Sequence, residues 1–140
     1  MAAFNKFNQF VADMANKVHN LSSDTLKVML TNSAPAATNT NYSQLTDLPT
    51  AGGYTAGGAT VTGQTSTQTG GTERLIGSLP NPTWTATSAG IGPFRYAVLY
   101  NVTAGGNLIG YWDNGSSVTL ANTQTFTVAF DPTNGILQDS

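Results

Sequence analysis

The spacing of hydrophobic positions changes near residue 25. Before it, Phe4, Phe7, Val11, Met14, Val18 and Leu21 recur at helical intervals, and Phe10 widens the same stripe. At about 100° per residue these positions share one sector, with Asn5, Asn8, Gln9, Asp13, Asn16 and His19 on the other side. The pattern predicts an amphipathic helix over residues 3–19, ended by Asn20. Its apolar stripe either closes the core of the chain, the favoured reading, or docks on another chain as a helix in a groove.

From Thr25 to Thr31 the period is two. Leu26, Val28 and Leu30 point one way, and Lys27 and Met29 the other, which predicts a strand covered on one face, with its outer face only partly polar. A Pro/Asn/Thr-rich loop follows, and residues 42–48 predict one short helical turn that Pro49 stops. Beyond Gly52 the pattern is β, with candidate strands at 59–67, 72–78, 83–87, 94–101, 107–113, 117–120 and 124–130. The low-complexity stretch 51–71 fits a long β loop as readily as an ordered strand. Residues 104–107 and 113–116 read as hairpin turns. Phe94–Tyr100 carries apolar residues on both faces, the mark of a central strand. Phe126, Val128 and Phe130 alternate with Thr125, Thr127 and Ala129, as in a half-buried strand. Eight strands with turns this close predict a mainly β fold, an antiparallel β-sandwich or jelly roll with one N-terminal helix. The 140 residues fit a single domain: helix 3–19, sandwich 25–131, and a loose tail 132–140.

Charge changes this picture more than hydrophobicity does. Only 9% of residues are charged, against roughly 25% in an ordinary soluble domain. Thr, Asn, Ser and Gly fill the difference. Between positions 48 and 112 the charged residues are Glu73, Arg74 and Arg95 alone. The five cations are scattered and the net charge is −2, so phosphate-directed nucleic-acid binding is not expected. No apolar run approaches a membrane span. Polar residues at 5, 6, 8, 9 and 13 break any secretory apolar core, which predicts synthesis and assembly in a cytoplasm. The absence of cysteine excludes disulfides and thiolate metal sites.

Little remains for chemistry, and neither an enzyme nor a cofactor or metal is expected. His19 stands near Ser22, Ser23 and Asp24, but residues adjacent in sequence rarely converge as a triad. Its place on the polar side of the helix predicts a surface histidine near the helix end. No two carboxylates have acid–base or metal-ligand spacing, and the glycine clusters lack phosphate-loop context. The aromatic residues of the β region are expected mainly in the core. Tyr111 and Trp112 are consecutive, so one of them must face away from it. With Trp84 and Arg95, the lone charge on the central strand, they are the candidate partner-binding residues.

Several phrases carry a resemblance. A Phe7-Asn8-Gln9-Phe10-Val11-Ala12-Asp13 helix leads into His19-Asn20-Leu21-Ser22-Ser23-Asp24-Thr25-Leu26-Lys27-Val28-Met29-Leu30-Thr31-Asn32. Gly53-Tyr54-Thr55-Ala56-Gly57-Gly58 and Ile91-Gly92-Pro93-Phe94-Arg95-Tyr96-Ala97-Val98-Leu99-Tyr100-Asn101 follow. Together they resemble small virion structural proteins of tailed bacteriophages, most of all capsid cement or head decoration proteins. The resemblance implies a non-enzymatic β-sandwich on the capsid exterior. It would bind the major capsid protein, stabilise the shell, and self-associate as a homodimer or homotrimer. A tail or receptor-binding module recognising surface glycan through exposed aromatics is the alternative, and a small hydrolase using His19 or a carboxylate pair is a third.

Overall fold

The computed structural model describes residues 3–77, 81–131 and 133–139. In chain order the elements are β1 (Phe4–Lys6), α1 (Asn8–Ala15), β2 (Leu26–Thr31), a 3-10 turn (Tyr42–Gln44), β3 (Ala59–Thr60) and β4 (Thr65–Thr69). Then come β5 (Thr72–Ile76), β6 (Thr83–Thr85), β7 (Ile91–Asn101), β8 (Asn107–Leu120), β9 (Thr125–Thr127) and β10 (Leu137–Asp139). A five-stranded sheet runs β1-β8-β7-β2-β3, a three-stranded sheet β10-β5-β4, and a two-stranded sheet β6-β9. All pairings are antiparallel. The fold is mainly β and sandwich-like, without a closed barrel among the described residues.

The period-two pattern of β2 places its side chains as expected. Leu26, Val28 and Leu30 enter the main core with Phe94, Ala97 and Leu99 of β7 and Ile109 and Trp112 of β8. Leu75, Trp84, Val128 and Leu137 close that core from the smaller sheets and their flanks. Met29 points the other way, into a second cluster with Phe7, Val98, Tyr100 and Leu108. The large sheet is therefore apolar on both faces, and β7 lies at its centre as its two-sided pattern predicts.

The second face is covered by the segment after β2, whose Tyr42 and Leu45 pack on that cluster. This segment is anchored by polar bonds around Asp47. Tyr42 Oη donates to Asp47 Oδ2 (2.6 Å), Tyr54 Oη to Oδ1 (2.5 Å), and the Gly57 N–H to Oδ2. Tyr54 Oη in turn accepts the Leu30 N–H (3.0 Å), and Tyr100 Oη donates to the Gly57 carbonyl (2.6 Å). The Leu48 N–H meets the Leu30 carbonyl (3.3 Å). β2 is thus closed along the stretch that the two-residue β3 leaves open.

The N-terminal helix is shorter than the 3–19 its stripe predicts. Residues 4–6 instead pair with Gly110–Trp112 at the edge of β8. Phe4 packs edge-on against Trp112, with ring centroids 5.1 Å apart. Gly110 makes this possible, because a Cβ there would lie 2.1 Å from the Phe4 ring. Phe7 and Phe10 then enter opposite clusters as the chain rounds the sheet edge. The helix ends at Ala15, before the expected Asn20. Lys17 has φ 59°, its N–H reaches the Met14 carbonyl, and the Val18 N–H reaches Asp13. That bond pair is a Schellman motif with lysine where glycine is favoured. Val11, expected on the buried stripe, is 55% exposed.

Three further expectations change. The 113–116 hairpin turn is absent, and β8 runs through it to Leu120. From Tyr96↔Asp113 to Phe94↔Val118, β7 advances two residues while β8 advances five, a bulge in β8 larger than the usual single extra residue. The tail is not loose over its described residues, because β10 pairs with β5 and Ile136 and Leu137 are buried. Apolar Ile136 and Leu137 decide this, as they fill space beside Leu75. The strand expected at 59–67 is instead two short ones, β3 and β4, with residues 61–64 between them. Ser78, the last residue of the 72–78 strand expectation, lies outside the described residues.

Two outcomes follow from this geometry. Asp47→Asn replaces one acceptor oxygen with a donor and leaves a buried tyrosine hydroxyl or the Gly57 N–H unpaired. We expect about 1–3 kcal/mol of lost stability by denaturant titration. Lys17→Gly relieves a left-handed lysine and should raise stability by about 0.5–1 kcal/mol in the same assay.

Candidate functional site

The bulge in β8 opens a cleft of about 290 Å³ between the large sheet and β9. Ala97, Trp112, Phe126 and Val128 form its apolar wall, and Arg95, Asn114 and Thr127 its polar rim. Its volume is at the small end for ligand sites, enough for one ring or one side chain. Trp112 is buried, and its indole Nε1–H has no hydrogen-bond partner among the described residues. A buried donor without an acceptor is a costly arrangement.

Arg95 is not a free charge. Its Nε donates to Asp113 Oδ1 (2.8 Å) and its Nη2 to Oδ2 (3.1 Å), a two-point contact. The Gly115 N–H also donates to Asp113 Oδ1 (2.8 Å), so the bulge itself holds the carboxylate in place. Hydrogen bonding from Arg95 first, and from Gly115 second, lowers the Asp113 pKa, and the same pairing raises that of Arg95. The guanidinium also lies 5.4 Å from the Tyr96 ring centroid. Both partners are partly exposed, so this pair orients Arg95 more than it stabilises the fold.

Of the four residues singled out by sequence, the fold brings Arg95 and Trp112 together in this cleft. Tyr111 lies on the opposite face, 5.3 Å from Phe7 and 6.4 Å from Tyr96, and is half-buried. It is therefore Tyr111, not Trp112, that faces away from the main core. Trp84 is buried against Phe126 (6.3 Å) and Tyr54 (6.2 Å), so it touches a residue of the cleft wall without lining the cleft itself. Neither tryptophan offers an open ring face. Sequence reasoning missed Asn114, Phe126 and Thr127 as lining residues. The alternation of 125–130 marked Phe126 as inward-facing, but reading 113–116 as a turn hid Asn114.

A second polar group lies under the helix end, where His19 is buried rather than on the surface. Because α1 stops early, residues after Asn16 turn back and bring His19 against Phe10 at 5.5 Å. Asn101 Nδ2 donates to His19 Nδ1 (2.9 Å) and to Asp24 Oδ2 (2.7 Å). This assigns the imidazole proton to Nε2, which faces Asp13 Oδ2 at 3.7 Å without forming a hydrogen bond. Asp13 is buried too, and it accepts from Gln9 Nε2 (3.0 Å) and Asn107 Nδ2 (3.3 Å). The Ser22 hydroxyl donates to Asn20 Oδ1 (3.1 Å) instead of to the imidazole. The arrangement is a structural tie between helix and sheet, with no nucleophile placed on the base.

Among the described residues no group of three His, Cys, Asp or Glu side chains could hold a metal ion. No helix of the described residues is long and apolar enough to cross a membrane. The chain matches no protein-family model, and no curated protein or solved structure is significantly similar to it.

The buried histidine generates a pH prediction. Burial lowers the His19 pKa below 6.5, outweighing the opposite pull of Asp13 and Asp24. The unfolded chain then takes up a proton near pH 6.5 that the folded chain still excludes. Stability from this group is present above that pH and declines as the pH falls through and below it. In His19→Gln the unfolding free energy should be flatter between about pH 5.5 and 7.5, where ordinary carboxylates do not titrate. Equal slopes in the two proteins would refute the assignment.

Proposed function

We propose that this chain is a non-enzymatic structural protein of a phage virion. It binds the outside of the capsid shell, contacts the major capsid protein and stabilises the shell, after synthesis in the host cytoplasm. The observation that carries this reading is the neutrality of the β body. Glu73, Arg74 and Arg95 are the only charges between positions 48 and 112, and Arg95 is engaged by Asp113. Thr83, Thr85, Thr125 and Thr127 and all of β4 stand exposed instead. Such a surface docks through neutral hydrogen bonds and does not strip water from charges. That suits a protein covered by neighbours over much of its area. The phrases at 7–32, 53–58 and 91–101 that resemble phage virion proteins support the same reading.

The glycan-binding reading needs an aromatic ring face open to a sugar. Burial of Trp84 and Trp112 leaves it only Tyr111, which is half-buried against Phe7 and Tyr96.

The test is co-sedimentation of the purified protein with assembled shells of the parent virus, alongside cryo-microscopy of its virions. Saturable binding to shells, with matching density on the capsid exterior, is expected. Density confined to the tail, or absence from virions together with no binding to shells, would overturn the proposal.

A further inference from the structure

Strand β4 is an open edge with unusual symmetry. It is the outer strand of the β10-β5-β4 sheet, and each of its five residues is exposed. Gly70 and Gly71 have φ 58° and 84°, the two positive values that a type I′ hairpin turn requires. The turn sets Thr69↔Thr72 as a hydrogen-bonded pair, so in this register Thr67↔Arg74 and Thr65↔Ile76 are bonded as well. Ser66 and Gln68 therefore direct their backbone N–H and C=O groups outward, away from β5.

Edge strands are commonly blunted by lysine, proline, inward charge or a bulge. β4, Thr65-Ser66-Thr67-Gln68-Thr69, has none of these. Its sequence is also nearly the same in both directions about Thr67. Antiparallel pairing with an identical strand would set Thr65 against Thr69, Ser66 against Gln68, and Thr67 against its own copy. The same register places the outward groups of Ser66 and Gln68 in the hydrogen-bonded positions. Four backbone hydrogen bonds then form around a two-fold axis at Thr67. The central Thr67 pair occupies the closer, non-bonded position, where threonine pairs are favourable.

We infer that two copies of this chain associate through β4, joining their three-stranded sheets into one six-stranded antiparallel sheet. The contact is isologous, as two-fold symmetry demands. Like charges do not oppose it. Arg74 of each copy would be three strand spacings from its counterpart, about 14 Å, beyond the ~8 Å screening length at physiological salt. Ser66 Oγ donates to Glu73 Oε1 at 2.6 Å within one chain, so Glu73 is already engaged on its own hairpin. The pairing uses no residue of the cleft and does not depend on shell binding.

Analytical ultracentrifugation of the full-length protein tests this without any viral shell. Wild type should be a concentration-dependent dimer. Thr67→Lys and Thr67→Asp each place like charges face to face at the axis and should each weaken the dimer about tenfold or more. An equimolar mixture of the two variants should recover dimers, because Lys then faces Asp. Thr67 is exposed but faces Arg74 across the hairpin, so as monomers both variants should keep the wild-type circular dichroism spectrum, with Thr67→Lys melting below Thr67→Asp because Lys opposes a like charge there. A wild type that stays monomeric would overturn the inference. So would a dimer indifferent to both substitutions, or variants whose mixture shows no recovery.

Discussion

A single carboxylate decides whether the second face of the large sheet stays closed. That sheet is apolar on both sides, and one side is covered by strands of the two smaller sheets. The other is covered by a segment whose only described helix is the 3-10 turn Tyr42–Gln44, and such a segment cannot hold itself down by ladder bonds. Asp47 gathers two tyrosine hydroxyls and the Gly57 N–H, while Tyr54 and Tyr100 carry the connection on to β2 and to the glycine-rich 52–58 segment. Hydrogen bonds to an ionised acceptor are stronger than neutral ones. The acidic group is thus spent on architecture. The burial of Tyr54 and Tyr100, with Asp47 nearby, raises both phenol pKa values, that of Tyr100 to about 12.

The same economy runs through the molecule. Asp13 is held by Gln9 and Asn107, Asp24 by Asn101 and the Asn20 N–H, and Asp113 by Arg95 and Gly115. Asp131 accepts from the N–H groups of Thr133 and Asn134. These five aspartates, Asp47 included, each fix a loop, a helix or a bulge. What the β body offers to a partner is threonine and open backbone, so recognition depends on shape and hydrogen-bond register more than on field. The cleft beside Arg95 and the edge of β4 are two such places, on different sheets.

Much of the central architecture was legible in the residues. Period two in 25–31 and the two-sided pattern of 94–100 located β2 and β7 because alternation records which face each side chain buries. Of the cleft, Arg95 and Trp112 were legible as a lone charge and an aromatic on central strands, although Trp84 and Tyr111 belong to other surroundings. His19 was misplaced because a helix extended to residue 19 puts it in solvent, whereas a helix ended by Lys17 turns it inward.

The sequence by itself determined the mainly β fold, the faces of β2 and β7, and the near-absence of charge, since these rest on local periodicity and composition. Tertiary structure alone decided that Phe4–Lys6 leaves the helix to pair beside Gly110, and that residues 113–116 bulge instead of turning. It also decided that 137–139 closes a sheet. In each case a segment gained more from a partner distant in the chain than from its own local preference. No local pattern records the space that Gly110 leaves for Phe4, or the hold that Arg95 and Gly115 together have on Asp113.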